Sequence, residues 1–492
     1  MTRSVTPYRS RGAGRDGFLE LLHAEWTKFR TVRGWVVGMA AAALMVVLVA
    51  LLAGISSDQR GASAVPIGSG GQPVTDSFYF VHQPLTGDGS ITVAVAALKS
   101  SVPRGPAVVP WAKAGLIVKQ SLREGSPYAA IMVTGSHGVR MQDNYLADRT
   151  GPTAAKWLRL ERSGDAITGY ASADGINWTK VGTVHVDLGP TPLAGLFVAS
   201  PQAVEGRGTT ASVSTATFTD LQGTDRHWTG DQVGAGSPTF AGYPPPAAGS
   251  FTESGGTFTV TGAGDIAPAA RYSLPTAGTL ANLLTGTFAA LIAVVVVAVL
   301  FITTEYRNNL VHVTLIAGPR RPRLLLAKAI VLSAVTFVAG LAGVLVAIPL
   351  GERLARANGV YIFPVTTSTE LRVALGTAAL LAAASILALS VGAIVRTSAG
   401  AVTTVIAAIV LPYLLVANPF MPAGPANWLT RVTPAAAFAV QQTLVQYPQV
   451  ASPYTPYNDY YPLAPWAGLA VLVGYALAAL AVATVLLQRR DA

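Results

Sequence analysis

The chain has no cysteine. That excludes disulfides and thiolate metal sites, so any folded region outside a cell must rest on its own apolar core. Charge is also scarce. Only 12% of the 492 residues are charged while 51% are hydrophobic, and mean hydropathy is +0.46. Ordinary soluble domains carry about 25% charged residues, so this composition points to a membrane class. A phosphate-cradling G-x-x-x-x-G-K-[ST] loop is missing. "TGAGD", Thr261 to Asp265, has the glycines without the lysine. ATP hydrolysis by that mechanism is therefore not expected of this chain, nor is a bound cofactor. Glycoside hydrolysis needs two carboxylates facing across a cleft, and no strand carries closely alternating acids. Glu161 and Asp165 flank a Ser-Gly turn and read as a solvated hairpin tip. His82, His137, His185 and His227 lack ligand spacing. No catalytic residue and no metal site follow from this, although a calcium site of Asp and carbonyl oxygens stays open. The net charge of +10 would suggest nucleic acid if it formed a basic face. Most of it flanks apolar runs instead, so a nucleic-acid partner is not expected.

The apolar runs come next. "WVVGMAAAALMVVLVALLAGI", Trp35 to Ile55, holds 21 residues without a charge, which as a helix covers about 31 Å, one hydrocarbon thickness. It is too long for a signal-peptide core and reads as a retained span. Five more runs lie at roughly Ala281–Thr303, Lys328–Leu350, Leu371–Val395, Ala399–Ala417 and Pro465–Leu487. Their centres lack Asp, Glu, Lys, Arg and His, which argues against a proton-coupled carrier or an ion channel. Gly340, Gly343, Ala347 and Gly392 would let helices approach closely, and Pro412 should kink the fifth run. Arginine and lysine assign the sides. Arg30 and Arg33 precede the first run, Arg320, Arg321, Arg323 and Lys328 follow the second, Arg396 separates the fourth and fifth, and Arg489 and Arg490 follow the last. Six alternating crossings put these in the cytoplasm with both termini, and put the long segment after the first run outside the cell.

Two cytoplasmic elements remain. In "GFLELLHAEWTKFRTVRGW", Phe18, Leu22, Trp26 and Phe29 fall on one helical face. A basic amphipathic helix of this kind lies in the membrane interface, as an anchor or as a partner contact. After the second run, "TTEYRNNLVHVTLIAGPRRPRLLLAK" has a polar start, an apolar side, a Gly-Pro break and three arginines for headgroups. An ordinary positive-inside loop accounts for the arginines but not for the apolar side. This stretch resembles the first cytoplasmic loop of the permease subunits of ABC exporters in the drug, lantibiotic and polysaccharide class. "LLHAEWTKFRTVRGW" resembles the connecting helix of the same family. The resemblance implies a coupling region at Glu305, Tyr306, Arg307, Thr314, Leu315, Pro319, Arg320 and Arg321 that docks on an ATPase. It also implies that ATP is bound by that separate subunit and that a second permease subunit, identical or different, completes the pathway.

Between the first two apolar runs, short β-rich stretches alternate with turn residues, the pattern of an all-β sandwich. "YASADGINWTKVG", Tyr170 to Gly182, reads as a hairpin turning at Asp174-Gly175. Its Trp178, with Trp111 and Trp157, could stack on a glycan, though the core is the more frequent place for a strand aromatic. The set "DSFYFVHQPLTGDGSITVAVAAL", "WAKAGLIVKQSL", "KWLRLERSGDAITGYASADGINWTKVG" and "AGLFVAS" resembles the concanavalin A-like jelly rolls of secreted bacterial enzymes. Such modules commonly begin with a strand pair like "GSFTESGGTFTVTGAGDI", which here comes last, at Gly249 to Ile266. It is expected to fold back and complete the sandwich, the duller option being a linker or truncated repeat.

The expected architecture is a multi-pass α-helical membrane protein of six spans with an inserted jelly-roll sandwich. Residues 1–34 form the cytoplasmic N-terminus, 35–55 the first span and 61–276 the extracellular sandwich. Residues 281–492 carry spans two to six, with the coupling loop at 304–327. The expected function is that of a permease subunit of an ABC exporter in a bacterial cell membrane. The alternative is a membrane-anchored glycan or peptide receptor without transport.

Overall fold

The computed structural model describes residues 17–61, 64–103, 107–205, 208–223, 227–234, 249–307, 321–417 and 421–490. The chain divides into two compact units. One holds Met1–Arg60, Gly278–Thr443 and Thr455–Ala492. The other holds Gly61–Ala277 and the short segment Leu444–Tyr454.

The first unit is helical. Helix α1 (Phe18–Thr31) is followed after one residue by α2 (Arg33–Ser56). Then come α3 (Leu280–Leu283), α4 (Thr287–Arg307), α5 (Arg321–Ala357), α6 (Thr367–Val395), α7 (Ser398–Ala417), α8 (Ala423–Val432) and α9 (Pro465–Arg490). Among the described residues six helices are long and apolar enough to cross a membrane: Arg33–Ser56, Leu280–Tyr306, Pro322–Ala357, Thr367–Val395, Ser398–Val416 and Pro465–Arg489. They suggest a membrane protein. Helix α2 exposes Val37, Leu44, Leu48, Leu52 and Ile55 along its length, an apolar surface that a water-soluble monomer does not tolerate. Helix α6 is the centre of the bundle, with 67% of its most apolar window buried, against 22% for α2, α7 and α9. Glycine sets two of the contacts. A Cβ on Gly343 would lie 2.9 Å from the Ala43 carbonyl oxygen, and one on Gly376 would lie 2.8 Å from Val440 Cβ, so larger residues would force these backbones apart.

The sequence reading missed one piece of this unit. After α8 the chain runs through a 3-10 segment, Pro434–Gln441, in which every residue is buried. Its backbone is not α-helical, which an apolar interior tolerates only where protein surrounds it. Gln441 Nε2 donates to Thr287 Oγ1 at 3.1 Å and to Thr377 Oγ1 at 3.2 Å. The amide thus cross-links α4, α6 and this segment.

The second unit is a sandwich of two antiparallel sheets, each of seven strands among the described residues. The first sheet runs, in spatial order, Thr179–His185, Ala166–Ser172, Trp157–Ser163, Gly89–Ser101, Val213–Gln222, Thr257–Gly262 and Ser250–Ser254. The second runs Thr229–Val233, Phe78–Pro84, Leu193–Ala199, Lys113–Lys119, Tyr128–Thr134, Val139–Asp143 and Ala147–Thr150. Val81, Val93, Leu116, Ile131, Leu158, Ile167, Leu196 and Phe218 fill the space between them. The late strand pair does fold back. Thr257–Gly262 pairs with Val213–Gln222, Phe258 opposite Phe218 and Val260 opposite Ala216, and both Phe258 and Val260 enter the core.

Alternation holds for Trp157–Ser163 in the first sheet and fails for Lys113–Lys119 in the second. Trp157–Ser163 turns Leu158 and Leu160 inward and leaves Trp157, Arg159 and Glu161 half-exposed. In Lys113–Lys119, by contrast, all seven residues are buried, because both faces of that sheet are covered. Its outer face carries the strand pair Val74–Asp76 with Ile266–Pro268, whose Val74 and Ile266 pack on Phe78, Phe80, Ile117 and Phe197. These are the stretches by which the chain comes into the sandwich and leaves it. Two lysines on the covered face hold the pair. Lys119 Nζ lies 2.8 Å from Asp76 Oδ2 and also donates to the Ser126 carbonyl and the Tyr145 hydroxyl. Lys113 Nζ lies 2.5 Å from Asp265 Oδ1 and 2.7 Å from the Ile266 carbonyl oxygen. The segment Leu444–Tyr454, expected within the helical stretch 281–492, also belongs here. Val450 and Tyr447 pack on Ala267 and Ala270, and Gln449 Nε2 donates to the Leu146 carbonyl at 3.1 Å.

Candidate coupling site

The site that stands out chemically is a cluster of two lysines and two carboxylates in the helical unit, buried except for the half-exposed Lys28. Lys328 sits two turns into α5 with no solvent exposure. Its Nζ lies 2.6 Å from Glu25 Oε2 on α1 and 2.6 Å from Glu305 Oε1 at the end of α4. Lys28, one turn along α1 from Glu25, pairs with the same Glu305 oxygen. The ammonium of Lys328 also stands 4.8 Å from the centre of the Phe301 ring, a favourable cation–π position. Aromatic rings close the apolar side. Phe301 meets Trp35 edge-on at 4.8 Å and Phe29 at 6.0 Å. The last turn of α4 has a further attachment. Thr303 Oγ1 and Ser398 Oγ are 2.8 Å apart, and the Arg396 guanidinium lies 4.9 Å from the Tyr306 ring centre. Arg396 ends α6 in the left-handed region at φ 61°, so the turn between α6 and α7 is brought onto α4. Residues 303–306 thus join α1, α5 and the 396–398 turn.

The charges balance within the cluster. Burying Glu25, Glu305 and Lys328 is costly, and here each ammonium, including that of the half-buried Lys28, has at least one carboxylate within reach, which is the condition for such burial. Burial first, and then the Lys328 cation, push the Lys28 pKa down to about 8. Unfolded lysine keeps its proton to about pH 10.4, so between those values the unfolded chain binds more protons and stability rises with pH. Below pH 8 the cost of holding the partly buried Lys28 charged is present in full. From pH 8 to 10 the wild type is expected to gain thermal stability relative to Lys28→Met. Parallel pH profiles for the two proteins would refute that assignment.

The residues anticipated from sequence fall unevenly. Glu305 and Tyr306 are in the hub, and Arg307 closes α4. Arg321 opens α5. Thr314, Leu315, Pro319 and Arg320 lie outside the described residues. On α1 the buried stripe is Leu22, Glu25 and Phe29, with Leu22 half-buried, whereas Trp26 is 43% exposed and stacks on Phe29 at 6.5 Å. Phe18 is half-exposed. The face therefore turns by one residue from the all-apolar stripe, and its centre is an acid. Lys328 changes as well: read as the flank of an apolar run, it is interior to α5.

The three tryptophans do not form one site. Trp111 is buried, its ring stacked on His137 at 3.9 Å with Arg140 at 5.5 Å. Trp157 lies on the outer face of the first sheet over the hairpin turn, where a Cβ on Gly175 would come within 2.8 Å of its ring. Trp178 lies outside the core, half-exposed under the Arg159 guanidinium at 4.1 Å. A cation covers the face that the core would otherwise have to cover. The turn itself is built by Asp174, whose carboxylate accepts the backbone N–H groups of Ile176 and Asn177. Those donors hold its pKa well below the usual carboxylate range. Among the described residues no group of three His, Cys, Asp or Glu side chains is placed to hold a metal.

Comparison with known proteins adds little. No family model matches the chain, and no curated protein matches it. Among solved structures, a functionally unknown protein from Saccharomyces cerevisiae is similar over 35% of this chain and 85% of its own, at 14% identity and a TM-score of 0.22. A likeness that loose carries no argument.

Through Lys328 the cluster ties α1 to the end of α4 and to α5.

Proposed function

We propose that this protein is the permease subunit of an ABC exporter, driven by a separate ATPase. The observation that carries the reading is the Glu25–Lys328–Glu305–Lys28 cluster, which ties α1 to both helices that flank residues 308–320. A loop that receives force from a partner needs a stiff anchorage at both ends, and an ordinary surface loop does not. In this reading six spans place both termini in the cytoplasm and the sandwich outside the cell, and two permease subunits form the pathway. The sandwich resembles glycan-binding modules, and its open face is the one that carries Trp157, Arg159 and Trp178. The test is co-purification of the full chain with an ATPase, the first candidate being one encoded beside it. Leu315→Asp is expected to lower the ATPase activity of the complex at least several-fold without changing the amount of permease in the membrane. Failure of any ATPase to associate would defeat the proposal.

A further inference from the structure

A cavity of about 320 Å³ opens in the helical unit between α6, α7, α9 and the 3-10 segment. Leu387 and Val391 form one wall, Ala408 and Pro412 the opposite one, and Pro434 and Tyr475 the sides. Pro412 lines it from inside α7, where a proline withholds an N–H from the Ala408 carbonyl.

We propose that this cavity binds a single hydrocarbon chain of a membrane lipid. Its chemistry selects that ligand. The hydroxyls on its walls are already engaged with backbone carbonyls: Thr404 Oγ1 with Gly400 at 2.8 Å, Thr433 Oγ1 with Leu429 at 2.7 Å and Tyr475 with Val432 at 3.0 Å. What remains for a ligand is methyl and methylene surface, and a polar or charged guest would shed its water for no partner. Size narrows the choice. The volume lies at the small end of the range for ligand pockets, about 300 to 1,000 Å³. It takes a stretch of one alkyl chain and is too small for a folded peptide or an oligosaccharide. Position names the source. Ala408 and Pro412 lie along the middle of α7, Tyr475 lies well inside α9, and Tyr475 is 47% exposed at the mouth. A cavity at that depth of membrane-crossing helices opens toward acyl chains rather than headgroups. Left empty it would forfeit the contacts of its lining. The inference rests on the membrane character of these helices and not on the exporter reading, so either can fail alone.

The test uses the full chain in nanodiscs of phosphatidylcholine that carries a diazirine at mid-chain, with the photo-adducts mapped by mass spectrometry. Adducts are expected to concentrate at residues 387–391, 404–412 and 475. Ala408→Trp, which fills the cavity, is expected to lower labelling there at least five-fold while leaving labelling of α2 unchanged. Should that variant fail to fold, Val391→Phe fills the same space from the opposite wall and should give the same loss. Adducts spread evenly over all the lipid-facing helices, or insensitive to both substitutions, would overturn the proposal. So would Ala408→Cys, the only thiol in an otherwise cysteine-free chain, forming a disulfide between two copies when copper phenanthroline is added as oxidant, in place of taking up the probe. That result would show a helix of a second copy in the cavity.

Discussion

Lys328→Met is expected to be among the most damaging single substitutions in the helical unit. Methionine fills much of the lysine's volume, so the loss is electrostatic rather than a cavity. Glu25 loses the cation 2.6 Å away, and Glu305 keeps only Lys28. Glu25 is 4% exposed and Glu305 3%, so neither recovers its water. Breaking one partner out of a buried ion pair costs about 3–5 kcal/mol. In a protein whose unfolding is irreversible this reads out as faster thermal inactivation in detergent. A second measurement separates stability from coupling. Glu25→Gln combined with Lys328→Met removes both charges of one pair, and the double variant is expected to be more stable than Lys328→Met alone. If the cluster transmits force, that double variant regains stability but not ATPase coupling, because α1 is no longer tied to α5. Lys328→Met with wild-type inactivation kinetics and undiminished coupling would show the cluster to be incidental.

The six long helices were readable because a run of about twenty residues without charge leaves few alternatives, and their bounds came out within a few residues except at α5. There the apolar window begins at Lys328, but the helix begins at Arg321. The seven extra residues turn a flanking lysine into an interior one. The same habit hid Glu25. A stripe chosen for hydrophobicity takes Trp26, although Leu22, Glu25 and Phe29 at i, i+3 and i+7 satisfy the helical period equally well. Periodicity rewards apolar residues, and a buried charge shows itself only when its partner is known, which for Glu25 lies 303 residues away. In the sandwich the turn at Asp174-Gly175 was readable from local chemistry. The burial of Lys113 and Lys119 was not, since it depends on a strand pair drawn from both ends of the inserted domain. The packing of Leu444–Tyr454 on the sandwich has no local signal at all. A soluble fragment cut at 61–276, the natural choice from sequence, lacks that segment and exposes Ala267 and Ala270.

That strand pair is where the second large effect is expected. Asp76→Ala should loosen the sandwich where the chain comes into it and leaves it. Asp76 Oδ2 accepts from Lys119 Nζ, from the Gly125 N–H at 2.8 Å and from the Tyr145 hydroxyl at 2.7 Å. Three donors lose a shared acceptor at once, and the Ser126 carbonyl is left to serve both Lys119 and Tyr145. Burial already lowers the Lys119 pKa, with the Asp76 carboxylate opposing it. Without the carboxylate, the ammonium loses its strongest counter-charge and keeps hydrogen bonds to the Ser126 carbonyl and the Tyr145 oxygen, with Glu124 as the weaker remaining counter-charge. A loss of roughly 3–5 kcal/mol follows for the broken pair. Replacing both partners by apolar residues, Asp76→Leu with Lys119→Met, is expected to cost much less, because no donor charge is then stranded. The effect should be local. Limited proteolysis of the full chain is expected to cut near residues 66–76 and 262–270 in Asp76→Ala while the spacing of cuts elsewhere is unchanged. Cleavage that begins instead in Trp157–His185, on the other sheet, would mean that the ion pair does not hold the strand pair, and that packing of Val74 and Ile266 on the second sheet suffices.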